Sequence, residues 1–232
     1  MKTNVFLLAV IASFGLASFT HASADHHEGA VGLQKEIMSI NRLKPLQNPR
    51  NERTANILDR HVLDSGSKVI GEVTDLVIDA KGAVRSVLVD FDRLRLASPV
   101  FLNSETLNIE SVSSGYRLSL DEDEVEEIYP SLLSAVEAAS GDQAKQFSVI
   151  NLIGSEVITS DGYKIGHLDD ILFDRDGKYV RSTYIVINYK TVHDKGLAVP
   201  LSVLNFEKMD GRTKIRIDQK YADLIIRHAE EG

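Results

Sequence analysis

Two aspartates recur at a fixed distance inside apolar runs, which makes them the first candidates for chemistry in this chain of 232 residues. Asp75 and Asp170 each stand four residues before a second repeated acid, Asp79 or Asp174, and each of those opens a turn that ends at Gly82 or Gly177. A carboxylate within an apolar strand can hold a ligand, or it can accept backbone N–H bonds at a bend or bulge. The second role fits a residue so close to a turn. Gly71 and Gly166 mark a bulge or tight bend and not a phosphate cradle, because no G-x-G-x-x-G follows. Asp174-Arg175-Asp176-Gly177 opens like a calcium loop, but loop position 12 falls on Ile185 where a Glu is required, so a hairpin turn is expected.

Another chemistry belongs to the amino terminus. Lys2 precedes an apolar stretch from Val5 to Leu16, which is shorter than the roughly 20 residues needed to span a bilayer. Ala22-Ser23-Ala24 then reads as an A-x-A cleavage site, so residues 1–24 are expected to be a signal peptide and the protein to be periplasmic. Cleavage there places Asp25-His26-His27 behind a free amine. A third-position histidine can then wrap Cu(II) or Ni(II) in square-planar geometry together with the amine and two backbone amides. The plain alternative is a polar tail, and no other cofactor is expected.

The remaining chemistry is sparse. There is no cysteine, hence no disulfide and no thiol nucleophile, and G-x-S-x-G, H-E-x-x-H and P-loop motifs are missing. His61, His167, His193 and His228 fall in different elements, so no catalytic site is expected. Six acids in the seven residues from Asp121 to Glu127 read as the solvated first turn of a helix, where the dipole favours negative charge. With 34 acids against 26 bases the net charge is −8, the wrong sign for a nucleic-acid partner.

The elements that carry these residues are duplicated. From Asn56 to Gly82, eight residues reappear 95 positions later: Asn56/Asn151, Val62/Val157, Ser65/Ser160, Ile70/Ile165, Gly71/Gly166, Asp75/Asp170, Asp79/Asp174 and Gly82/Gly177. The spacing becomes 96 at Val84-Arg85-Ser86 and 97 by Leu107-Asn108, and both added residues fall in polar loops. Short runs rich in Val, Ile and Leu (Val69 to Asp79, Val84 to Phe91, Tyr116 to Leu120 and their second copies) predict strands. Apolar residues on both faces of Arg181 to Asn188 imply strands covered on both sides by the other copy or a partner. Helices are predicted from Pro130 to Gly141 and along the stripe Tyr221, Leu224, Ile225 and His228.

The pattern resembles the PRC-barrel family. Leu152-Ile153-Gly154-Ser155-Glu156-Val157 is similar to its opening, Ile165 through Asp174 to its core, and Val199-Pro200-Leu201 to its close. The first copy keeps the core from Ile70 to Asp79 but has Asn103 in place of Pro200. The resemblance implies a six-stranded barrel serving as an interaction or assembly module with no shared catalytic centre.

The expected organisation is mainly β: two tandem small PRC-like β-barrels with short flanking helices, preceded by a signal peptide and a flexible tether. The boundaries are signal peptide 1–24, tether 25–53 with at most one short helix, first barrel 54–129, helical linker 130–146, and second barrel with C-terminal helix 147–232. The expected function is a non-catalytic periplasmic protein-interaction or envelope-assembly module. The alternative is a small-ligand or Cu/Ni carrier that uses the cleft between barrels or the mature amino terminus. A protein partner is expected, while homo-oligomerisation and membrane association stay open.

Overall fold

The computed structural model describes residues 22–94, 96, 98–103, 109–112, 115–138, 146–209 and 212–231. The predicted signal peptide thus lies almost wholly outside the described residues. The first module contains β2 (His61–Leu63), β3 (Val69–Asp79), β4 (Val84–Asp90), β5 (Val100–Asn103), β6 (Glu110–Val112) and β7 (Gly115–Arg117). The second repeats them as β9 (Glu156–Thr159), β10 (Lys164–Phe173), β11 (Val180–Tyr189), β12 (Val192–Val199), β13 (Leu204–Met209) and β14 (Arg212–Ile217). Strand order is β5-β4-β3-β2-β7-β6 in one and β12-β11-β10-β9-β14-β13 in the other, the same path twice. Among the described residues, only β2 with β7 and β9 with β14 run parallel within each module.

A further strand joins each sheet from outside its own module. β1 (Glu52–Arg53) leads into the first module yet pairs with β10 of the second, Glu52 opposite Phe173 and Arg53 opposite Leu172. β8 (Gln146–Ser148) leads into the second yet pairs with β3 of the first, Phe147 opposite Ile78 and Ser148 opposite Val77. The two registers coincide 95 positions apart. Each long strand therefore keeps one edge in its own module throughout, while its other edge pairs first at home, with β2 or β9, and then with the strand from the other module. Leu76, Val77 and Ile78, and likewise Ile171, Leu172 and Phe173, are buried consecutively, so these stretches are covered on both faces. In β11, predicted to be covered on both sides, Ser182, Thr183, Ile185 and Ile187 are buried but Tyr184 and Val186 only half-buried.

Helices α2 (Thr54–Ile57) and α4 (Val149–Leu152) follow the exchanged strands. α3 (Glu122–Ala138) packs on β5, and α5 (Gln219–Glu231) on β11 and β12. Buried apolar side chains from both modules join in one continuous cluster.

Three expectations require correction. The stretch 25–53 is not a flexible tether: most of it is α1 (Ala22–Arg42), followed by a 3-10 turn at Pro45–Gln47 and β1. The scattered charge concealed a helix that buries Leu33 and Ile37 and packs on β12 and α5. The linker helix begins at Glu122, not Pro130. Asp121 and Glu124 exchange side-chain-to-backbone hydrogen bonds of 2.8 and 2.9 Å, a capping box that starts the helix ahead of the proline. Pro130 then lies inside the helix on an exposed position. In α5 Ala222, Ile225 and Ala229 are fully buried, with Tyr221 and Leu224 of the predicted stripe packed partly buried beside them, so the side presented to the second sheet is turned slightly from the predicted one.

Candidate functional site

The repeated residues converge on the seam between the modules. At Asp170 the pairing of β10 with β11 slips by one residue, and at Asp75 that of β3 with β4 does the same. Such a bulge frees a backbone N–H, and the aspartate satisfies its neighbour's: Leu76 donates to Asp75 Oδ1 at 2.7 Å and Ile171 to Asp170 Oδ1 at 2.9 Å. The rest of each carboxylate reaches across the seam. Asp170 accepts the N–H of Thr54 at 3.1 Å and pairs with Arg53 Nε at 2.6 Å. Asp75 accepts the N–H of Ile150 at 3.1 Å and the Ser148 hydroxyl at 2.5 Å. Each buried carboxylate thus grips the first turn of the short helix that opens the other module. Thr54 reinforces this, its hydroxyl donating to the Ile171 carbonyl at 3.1 Å.

The hairpin tips meet at the same seam. Val84 donates to the Lys178 carbonyl at 2.9 Å and Val180 to that of Gly82 at 2.8 Å, reciprocal bonds around an Ala83–Tyr179 bridge. Gly82 (φ 84°) and Gly177 (φ 65°) supply the left-handed turn conformation. They also leave room for the opposite module. A Cβ on Gly82 would lie 2.7 Å from Leu201, and one on Gly177 would run into the Tyr116 hydroxyl. Asp79 and Asp174 brace these turns from within. Asp79 accepts from Lys81, Ala83 and Arg85, and Asp174 from Lys178 and Tyr179. Burial pushes the Asp79 carboxyl up, but these bonds outweigh it and hold the acid below its ordinary range.

Gly71 and Gly166 sit where neighbouring backbones approach closely, against the carbonyls of Asp90 and Val186. Pro200 caps the 3-10 turn Leu201–Val203. Asp25, His26 and His27 fall in the first turns of α1. Among the described residues, no three His, Asp or Glu side chains form a group that could hold a metal, and no helix is long and apolar enough to cross a membrane.

Sequence reasoning found these aspartates but missed what they hold. Ile57/Leu152 and Leu58/Ile153 continue the 95-residue spacing as apolar pairs just after the two exchanged strands, but nothing in that pattern says which module each strand joins.

Tyr116 gives the seam a titration signature. Its hydroxyl is buried against Gly177 and has no hydrogen-bond partner among the described residues. Burial pushes its pKa up to about 12. A raised pKa contributes stability that is complete below the unfolded value near 10 and disappears as pH rises through about 12. Tyr116→Phe is expected to be neutral or stabilising by about 1 kcal/mol at pH 7, because it removes an unsatisfied polar group. It should also flatten the fall of about 2–3 kcal/mol over that alkaline window. Urea unfolding at pH 7 measures the first, and at pH 11, the middle of the window, about half of the second, roughly 1.4 kcal/mol.

Residues 144–223 match the PRC-barrel domain family, so the match falls on the second module. No curated protein matches the chain.

Proposed function

We propose that this PRC-barrel protein is a non-catalytic assembly module of the bacterial periplasm, in which two barrels of the same kind are fused into a stiff body that engages a protein partner. The observation that carries this reading is the reciprocal strand exchange. The repeated Asp75 and Asp170 are engaged in locking the modules together, and so are the tips at Gly82 and Gly177. Duplication has produced a rigid shape and not two copies of a site, as befits a scaffold.

α1 supplies the surface. Leu33 and Ile37 face the second module, while Val31 and Met38, seven residues apart and so on one face, are 45% and 52% exposed. Crosslinking of the full chain in its native envelope is expected to join a single stoichiometric protein through this face. Val31→Asp with Met38→Asp should abolish that adduct while leaving the melting temperature unchanged. An undiminished adduct, or none in the parent chain, would overturn the reading.

A further inference from the structure

A pocket of about 400 Å³ lies between the end of α1, the 3-10 turn, the β11–β12 hairpin and α5. We infer that it binds a small organic anion, a single carboxylate or phosphate head on a short apolar body. Pro45, Leu46 and Leu197 line it with apolar surface, and Lys44, Lys195 and His228 bring basic groups to it. Among the described residues no acid lines it, although the chain as a whole carries a charge of −8. Among the described residues neither lysine forms an ion pair, so both ammonium groups are free for an incoming charge. Tyr184, which also lines the pocket, has its phenol raised by burial and by Asp169, with Arg53 pulling the other way.

The first module has no counterpart to this chemistry. Aligned through the strand pairing, Tyr184 corresponds to Leu88, Lys195 to Ser98 and Gly196 to Pro99, and His228 corresponds to Ser131 at the spacing of the closing helices. Gly196 makes the room: a Cβ there would run into the Tyr184 ring, so the ring can cross the strand only because position 196 has no side chain. The volume falls within the roughly 300–1,000 Å³ of small-molecule sites, and a mixed lining of apolar wall and a few converging polar groups is typical of them. An apolar tail desolvated against Leu46 and Leu197, with its head between two lysines, matches each part of the lining.

Isothermal titration of the full chain with four probes tests this: octanoate, octyl phosphate, octanol and inorganic phosphate. Both octyl anions are expected to bind one per chain, with octanol and phosphate at least tenfold weaker. Lys44→Gln with Lys195→Gln should weaken the anions by about tenfold or more, since a charge-assisted contact is worth about a decade in affinity. Gly196→Ala should weaken them as well by displacing Tyr184. If neither anion binds, if octanol or phosphate binds as tightly as the octyl anions, or if the double lysine variant binds undiminished, the assignment is wrong. The partner reading above stands or falls separately, because its variants lie at Val31 and Met38, outside the pocket lining.

Discussion

Asp170→Ala is expected to remove about 3–5 kcal/mol of stability, a large part of the roughly 5–15 kcal/mol that a folded protein has. The carboxylate is 3% exposed and accepts two buried backbone N–H groups, Thr54 at 3.1 Å and Ile171 at 2.9 Å, besides the Arg53 pair. Alanine leaves the Thr54 N–H without its acceptor in a place that water does not reach, at about 1–3 kcal/mol, leaves Ile171 only its longer bond to the Thr54 hydroxyl at 3.3 Å, and breaks the Arg53 pair. Asp75→Ala should cost a similar amount by the same mechanism, through Leu76 and Ile150.

The asparagine variants separate the two sites. An amide keeps one acceptor oxygen for the backbone and turns its NH2 to the other side. At position 75 that NH2 meets the Ser148 hydroxyl, which can accept a hydrogen bond; at 170 it meets the Arg53 guanidinium, which cannot. Asp75→Asn is therefore expected to be the milder of the two. In either alanine variant both modules should unfold in one transition, because each carboxylate holds an element of the other module. Urea unfolding followed by circular dichroism would expose a second transition. Its appearance would mean that the seam does not couple the modules.

Much of this seam is legible in the residues alone, and the part that is not has a physical cause. The recurrence of Asp75, Asp79 and Gly82 at a spacing of 95 revealed the duplication, and apolar residues on both faces of the strands signalled that something covers them. Which element covers them could not be read, because an exchanged strand uses the same local pattern as a strand paired at home. Glu52-Arg53 and Gln146-Phe147-Ser148 are also too short and too polar to carry a strand signature, and their pairing is set by the tertiary contacts of Phe147 and Asp170. α1 was hidden for a related reason. Its buried side is narrow, centred on Leu33 and Ile37, and Asn41 completes it by an unusual route: its side chain both donates to and accepts from the backbone of Ala198, at 2.8 and 2.9 Å, standing in for a neighbouring strand. An asparagine doing the work of a strand leaves no periodicity to detect. The pocket was invisible because its lining is drawn from three stretches far apart in sequence, 41–47, 184–197 and 228–229.

Gly166→Ala is expected to be as damaging as the loss of an aspartate, about 3 kcal/mol or more, through a clash that cannot relax. A Cβ at 166 would fall well inside 3.0 Å of the Val186 carbonyl oxygen and close to the Cα of Ile187, both backbone atoms of the adjacent strand. Moving them apart would open the β10–β11 ladder, where Gly166 stands opposite Ile187. Gly71→Ala meets the Asp90 carbonyl in the same way, together with the edge of Phe91. Gly154→Ala is the control: that glycine has φ 79° but nothing within 4 Å, so it should cost only about 1 kcal/mol of backbone strain. Gly177→Ala lies between them, since part of its clash is with the Tyr116 hydroxyl, and Tyr116→Phe should restore some of the loss. The contrast bears on the whole architecture. Gly166 lets β10 and β11 approach closely just before the bulge at Asp170, and that bulge turns the carboxylate out of its own ladder and onto the first turn of the other module. If Gly166→Ala proved as mild as Gly154→Ala, the close approach would not be real, and the path from glycine to bulge to seam would lose its first step.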